Sequence, residues 1–139
     1  MPARIAEKTL VFLLRFLGVN ALLAFAFVPM PFSLFQKFHE KLGLGAMPDV
    51  PIVGYLTRSL CLFYTIFGVI LITVSFDLKR YRRLLWMIGI LLLLIGFTLL
   101  GIDWHQELPL SWTLSEGPFT IVIGAIFLYI MRIWECGKS

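Results

Sequence analysis

The sequence is poor in charged residues. Only 14% of its 139 residues are charged, whereas 60% are hydrophobic and the mean hydropathy is +0.93. A soluble domain typically has about 25% charged and about 45–50% apolar residues. This composition argues against a disordered chain and against a soluble enzyme, because a water-exposed surface cannot hide so much apolar area.

Cysteine and recognisable catalytic motifs are scarce as well. Cys61 falls inside an apolar stretch and Cys136 lies near the end of the chain, so we expect them at different membrane depths and without a disulfide. Neither has metal-ligand spacing, and the sequence contains no CxxC. It also contains no G-x-S-x-G, HExxH or Gly-rich phosphate loop. We therefore expect no cofactor, and the sequence favours a non-enzymatic protein.

The sequence does contain four long apolar segments, which cover about residues 9–30, 53–76, 84–102 and 118–134. A helix needs about 20 such residues to cross about 30 Å of hydrocarbon. The runs are too long, and alternate too little, to be membrane strands. We predict an all-α fold: a transmembrane four-helix bundle that forms one integral membrane domain over residues 1–139.

The basic residues are distributed unequally between the two ends of these segments. The run Lys79–Arg83, between the second and third segments, has the pattern of a cytoplasmic loop rather than of a nucleic-acid surface, although the net charge is +4. The same side carries Arg4, Lys8, Arg132 and Lys138. The other side carries Lys37, Lys41 and Arg58. This asymmetry predicts that both termini are cytoplasmic. Alternatively, the first segment is a signal peptide cleaved near Ala24–Ala26, which would leave three spans.

The loop after the first segment has the pattern of a short amphipathic helix. Its apolar residues Phe35, Phe38 and Leu42 fall on one helical face. Ser33 and Gln36 fit a capping box at its start, and Gly43 fits the C′ position at its end. We predict an interfacial helix on the outer membrane surface between spans one and two, with a plain structured loop as the alternative. Pro51 suits the first turn of span two.

A cluster of polar residues is expected at the outer ends of the spans: Arg58, Asp49, Asp103, His105 and Glu116. A cation at a span end must snorkel or pair, so we predict that Arg58 pairs with Asp103 or Glu116. The functional alternative is that Arg58 binds an anion or a substrate carboxylate. The outer loop from Asp103 to Gly117 contains His105, but the spacing matches no zinc signature, and we expect no metal there.

Small and polar residues recur inside the spans: Asn20, Gly68, Gly89, Gly96 and Gly124. In lipid, helices associate through close packing of small residues and a few polar contacts. We expect these positions to lie at helix–helix interfaces, and a polar-lined cavity is the alternative.

Several short motifs resemble a set of uncharacterised bacterial four-span membrane proteins. The motifs are Leu42-Gly43-Leu44-Gly45, Pro48-Asp49, Tyr55-Leu56 with Arg58-Ser59, Phe76-Asp77, Arg80-Tyr81-Arg82, Gly101-Ile102-Asp103 and Glu116-Gly117-Pro118. In size and span count the chain is also similar, more distantly, to the DoxX-type membrane proteins. The resemblance implies a four-helix membrane fold and brings no activity and no catalytic residue.

Three functional hypotheses follow. The first is a non-enzymatic accessory or structural subunit of the bacterial inner membrane, or a self-associating bundle, whose partners are the lipid bilayer and other membrane subunits or itself. The second is a carrier or redox helper that binds a lipid-soluble, quinone-like ligand at the outer side. The third is a membrane enzyme that uses Asp103 or Glu116 as an acid or base.

Overall fold

Five α-helices make up most of the chain in a computed structural model, which describes residues 2–137. They are α1 (Ala3–Leu23), α2 (Phe32–Lys41), α3 (Pro51–Val74), α4 (Arg82–His105) and α5 (Leu110–Cys136). A 3₁₀ segment, Ala24–Phe27, continues α1. The predicted all-α class is confirmed: over residues 2–137 there is no strand, and four helices are long and apolar enough to cross a membrane. The chain is therefore a multi-pass membrane protein with lipid around its apolar helices.

The predicted outer loop from Asp103 to Gly117 is wrong. Asp103 and His105 lie in the last turn of α4, and α5 begins at Leu110, well before Pro118. The turn between the helices is short because Trp112 and Thr113 donate backbone N–H groups to the carbonyl of Pro109, which starts α5. Pro118 lies inside this helix, where a missing N–H is tolerated in membrane helices when neighbouring groups compensate.

The short helix between the first two apolar helices exists, but it begins differently from the prediction. α2 starts at Phe32, with Pro31 at the N-cap and no side-chain cap hydrogen bond, so the capping box of Ser33 and Gln36 is wrong. Pro31 opens the helix instead, and its carbonyl accepts the N–H of Leu34 at 3.0 Å. The side chains of Phe35 and Phe38 lie with ring centroids 6.2 and 6.3 Å from that of Phe27.

The end of α2 follows the prediction for Gly43. Gly43 has φ +79° and donates its N–H to the carbonyl of Glu40, while Leu44 donates to the carbonyl of His39. This pair of bonds is a Schellman motif, which satisfies two terminal carbonyls of the helix. Only glycine adopts such a φ at little cost, so the residue type fixes where α2 ends.

The described residues divide into two compact units, one formed by residues 2–14 and 74–137 and the other by residues 15–73. In the first unit α4 and α5 form an antiparallel pair in constant register. Gly89 packs against Leu128, Gly96 against Ile121, and Gly117 against Leu100. The buried apolar residues of this unit include Leu10, Leu85, Phe127, Met131 and Trp134.

The second unit contains the later part of α1, the 3₁₀ segment, α2 and most of α3. Here Gly18 and Gly68 face one another: a Cβ on Gly68 would lie 2.7 Å from the carbonyl oxygen of Gly18. A Cβ on Gly18 would lie 2.9 Å from the side chain of Ile72. The two backbones can come this close only because both positions lack a side chain.

Candidate functional site

Arg58 braces the end of the first membrane helix in the second unit. Its Nε donates a hydrogen bond to the carbonyl of Val28 at 3.1 Å, and its terminal amine Nη2 donates to the carbonyl of Met30 at 3.2 Å. Its other terminal amine, Nη1, donates to the carbonyl of Gly54, one turn back in α3, at 3.2 Å. One guanidinium therefore spans three backbone acceptors from two segments of the chain.

The sequence explains why those acceptors need a donor from elsewhere. The last carbonyls of a helix have no intrahelical partner. Pro29 and Pro31 lack the N–H with which the following backbone could supply one. Gly54 makes room for the guanidinium, because a Cβ there would meet Nη1 of Arg58 at 3.0 Å. A cation is also favoured at a helix C-terminus, where the helix dipole is negative.

These contacts give Arg58 a structural role: its hydrogen bonds hold the segment from Val28 to Met30 against α3. The predicted ion pairs of Arg58 with Asp103 or Glu116 would join residues of different units, and they stay predictions. So does the hypothesis of an anion site at Arg58.

Asp103 is a buried acidic residue of the first unit. It is 2% exposed in the last turn of α4, and its Oδ2 atom has no hydrogen-bond partner among residues 2–137. A carboxylate oxygen that is buried without a donor costs about 1–3 kcal/mol or more relative to a satisfied one. Such an atom therefore requires an explanation.

Two polar residues of α5 lie around Asp103. Glu116 is close enough for its carboxyl to interact electrostatically with that of Asp103. Thr113 is 5% exposed, and its hydroxyl reaches the carbonyl of Pro109 only at 3.4 Å. Asp103 and Glu116 thus lie within electrostatic range of each other, on two helices of the first unit rather than in a loop.

A cavity of about 410 Å³ opens beside Asp103. Its lining residues are Asp103, Trp104, Glu107, Leu108, Leu110 and Thr113. Trp104 is 79% exposed, and Glu107 has φ +52°, a left-handed conformation that is uncommon for a residue with a side chain. The cavity combines two carboxyl groups with three apolar walls and contains no basic residue in its lining.

The two remaining members of the predicted cluster are not among the residues that line this cavity. His105 is exposed at the end of α4, and Asp49 is exposed just before α3. The second histidine, His39, shares a hydrogen bond between its Nδ1 and the carbonyl of Gly45 at 2.9 Å. Within residues 2–137, no three residues of the types His, Cys, Asp and Glu are grouped as metal ligands.

Four of the five predicted packing residues lie where another helix comes close. A Cβ on Gly89 would meet Leu128 at 2.4 Å, one on Gly96 would meet the backbone nitrogen of Ile121 at 2.8 Å, and one on Gly124 would meet that of Leu93 at 3.0 Å. Gly68 packs on α1 as described above. Asn20 differs, because it is exposed and its amide nitrogen donates to the carbonyl of Phe16 in its own helix at 2.8 Å.

Sequence reasoning missed the polar contacts at the other end of the first unit. Glu135 accepts hydrogen bonds from Nε of Arg82 and, at 2.9 Å, from the indole nitrogen of Trp86. The buried indole of Trp134 donates to Glu7 at 3.0 Å. The sequence does show that Glu135 and Glu7 lie near helix ends. Which side chains they bind depends on the register of the neighbouring helix, and the sequence does not give that register.

No protein family, curated protein or solved structure matches the chain. The resemblance to uncharacterised four-span proteins and the more distant one to the DoxX type therefore stay predictions. Lys138, which entered the charge count, lies outside the described residues.

Proposed function

We propose that the chain is a non-enzymatic subunit of the bacterial inner membrane that associates with a second copy of itself through the face of α1 that carries Asn20. The observation that carries this proposal is the exposed amide of Asn20, which lies in the last turn of α1 on a helix long enough to cross a membrane. Asn20 lies about 16 Å along the helix from Thr9, which is near the centre of a hydrocarbon layer about 30 Å thick.

The amide of Asn20 has hydrogen-bonding capacity left over. The amide donates one N–H to the carbonyl of Phe16, and no other hydrogen bond of the Asn20 side chain is found among the described residues. The second N–H and the side-chain oxygen would face lipid, where an unsatisfied polar group costs several kcal/mol. Its neighbours on the same exposed surface are apolar: Phe16 and Val19 are each 50% exposed, and Leu23 is 60% exposed.

A second copy of the chain fits this surface because an amide is self-complementary. In a two-fold symmetric pair, each Asn20 offers a donor to the oxygen of the other, and the apolar neighbours pack around the two amides. An asparagine inside an apolar helix interface is a known device for fixing partner and register.

The proposal includes an orientation. Both ends of the chain and the run Lys79–Arg83 face the cytoplasm, because positively charged short loops are retained on that side. In this orientation the pair of Asn20 amides lies at mid-membrane, and the cavity beside Asp103 lies at the outer side.

Native mass spectrometry of protein extracted in mild detergent tests the association. We expect a dimer for the natural chain and a dissociation constant about tenfold higher for Asn20→Leu, since two reciprocal interhelical bonds contribute about 1–2 kcal/mol. Thr98→Val is the matched control: Thr98 is also exposed in a membrane-length helix, but its hydroxyl donates to the carbonyl of Leu94 at 2.8 Å.

A natural chain that is a monomer at every detergent concentration would overturn the proposal. So would a dimer that Asn20→Leu leaves intact. Co-purification with a different membrane protein in place of a second copy would replace self-association with a role as an accessory subunit.

A further inference from the structure

We propose that the cavity beside Asp103 binds an amine that carries an N–H group and a small apolar body. This site is independent of the association through Asn20. It stands on two observations: the buried, unpartnered Oδ2 of Asp103, and the shape and chemistry of the cavity that this residue lines.

The first observation identifies the polar end of the ligand. The Oδ2 atom of Asp103 is buried and has no donor among the described residues, so it can accept one strong hydrogen bond. The carboxyl of Glu107, which lines the same cavity, adds negative charge. A positively charged N–H donor satisfies both demands, because hydrogen bonds between ionised partners are the strong ones.

The second observation identifies the apolar end. Trp104, Leu108 and Leu110 form the apolar walls of the same cavity. Its volume of about 410 Å³ lies at the small end of the range for pockets that hold organic ligands, about 300–1,000 Å³. An amine with one aromatic ring or a short alkyl chain fits such a space.

Two other cations fit the site less well. A hard metal ion such as Ca²⁺ requires six or more oxygen ligands, and no grouping of three metal-binding side chains is found in residues 2–137. A quaternary ammonium has no N–H to donate to Asp103 and is normally held by several aromatic rings. Trp104 is the single aromatic residue in the cavity lining.

Thr113 completes the polar side of the cavity. Its buried hydroxyl makes only a long bond of 3.4 Å to the carbonyl of Pro109, which leaves its oxygen available to accept a second N–H from the ligand. The ammonium group would then lie between Asp103 and Thr113, with its apolar body against Trp104.

Thermal unfolding of the purified chain in detergent tests the site, with phenethylamine as the probe. We expect a saturable rise in Tm with phenethylamine. The rise should be absent with 2-phenylethanol, which has the same shape without charge, and much smaller with phenethyltrimethylammonium, which has the charge without an N–H.

The variant Asp103→Asn should weaken phenethylamine binding at least tenfold, whereas the matched control Asp49→Asn, an exposed carboxyl that is not among the lining residues, should leave it unchanged. In the absence of amine, Asp103→Asn should unfold at the same temperature as the natural chain or higher. The reason is that Asp103 contributes to ligand binding and does not stabilise the fold. If Asp103→Asn does not fold, Trp104→Ala tests the site instead. Trp104 is mostly exposed, so removal of its indole should weaken phenethylamine binding several-fold without preventing folding.

Three results would overturn the proposal: an equal rise in Tm with 2-phenylethanol, equal weakening by Asp103→Asn and Asp49→Asn, or phenethylamine binding that is unaffected by Trp104→Ala. A rise in Tm produced by Na⁺ alone, with none from phenethylamine, would also overturn it and would assign the cavity to an inorganic cation.

Discussion

The guanidinium of Arg58 shows why an arginine is found where a membrane helix ends in Val28-Pro29-Met30-Pro31. The prolines remove backbone donors, so the carbonyls of Val28 and Met30 need partners from elsewhere, and the part-buried guanidinium supplies them. A planar group with five donors can reach both, whereas an ammonium on a flexible stem is a single point of charge. The value of the residue lies in its shape as much as in its charge.

Replacement of Arg58 by glutamine should lower the free energy of unfolding by about 2 kcal/mol, because carbonyl groups bonded to a charged donor would lose it. Arg58→Lys should be destabilised nearly as much, since lysine keeps the charge but not the fork. Thermal or SDS unfolding in detergent measures both. Arg83→Gln, an exposed arginine of the basic run, is the matched control and should change stability little. Full stability of Arg58→Lys would show that charge alone suffices.

At the next scale, α4 and α5 pack as a pair whose register is set by glycines. Gly96 and Gly117 allow the two backbones to come within contact distance, because a Cβ at Gly96 would lie 3.0 Å from the carbonyl oxygen of Gly117. Large residues of the partner helix fill the space beside each glycine, as Ile121 does beside Gly96. In lipid this packing replaces the hydrophobic driving force that holds soluble helices together.

The variant Gly96→Ala should therefore be destabilised, although alanine is the better helix former by about 1 kcal/mol. Its Cβ would lie 2.8 Å from the backbone nitrogen of Ile121, and a backbone atom cannot move aside without separating the helices. Gly101→Ala, in the same helix, is the matched control: nothing lies within 4 Å of its Cβ position, so it should be neutral or stabilised. Equal unfolding midpoints for the two variants would contradict this account of the interface.

For the whole molecule, the distribution of charge determines orientation while the apolar helices determine location. Four membrane-length helices require lipid around them, and an exposed Phe63 (69%) or Phe12 (65%) is ordinary there rather than a liability. In the proposed orientation, the basic run Lys79–Arg83 lies on the cytoplasmic side.

Cysteine labelling in spheroplasts checks that orientation. In a chain with Cys61 and Cys136 replaced by alanine, Arg80→Cys should resist a membrane-impermeant maleimide until the membrane is permeabilised. Gln106→Cys, in the turn between α4 and α5, should be labelled at once. Labelling of both positions after permeabilisation is the control for reactivity, and the reverse pattern in intact spheroplasts would invert the proposed topology.

Local sequence was sufficient to determine the membrane class, the four long helices, the start of α3 at Pro51 and the position of Gly43 just after the end of α2. Each of these depends on the length of an apolar run or on the backbone angles of one residue, and both can be read from neighbouring residues. The start of α5 was predicted wrongly, because a proline is typical of a helix boundary, whereas Pro118 lies inside a helix that begins at Leu110. The partners of Arg58, some 30 residues away along the chain, and the buried Oδ2 of Asp103 were decided by tertiary structure alone. Contacts between distant segments depend on how the helices pack, and no local pattern contains that information.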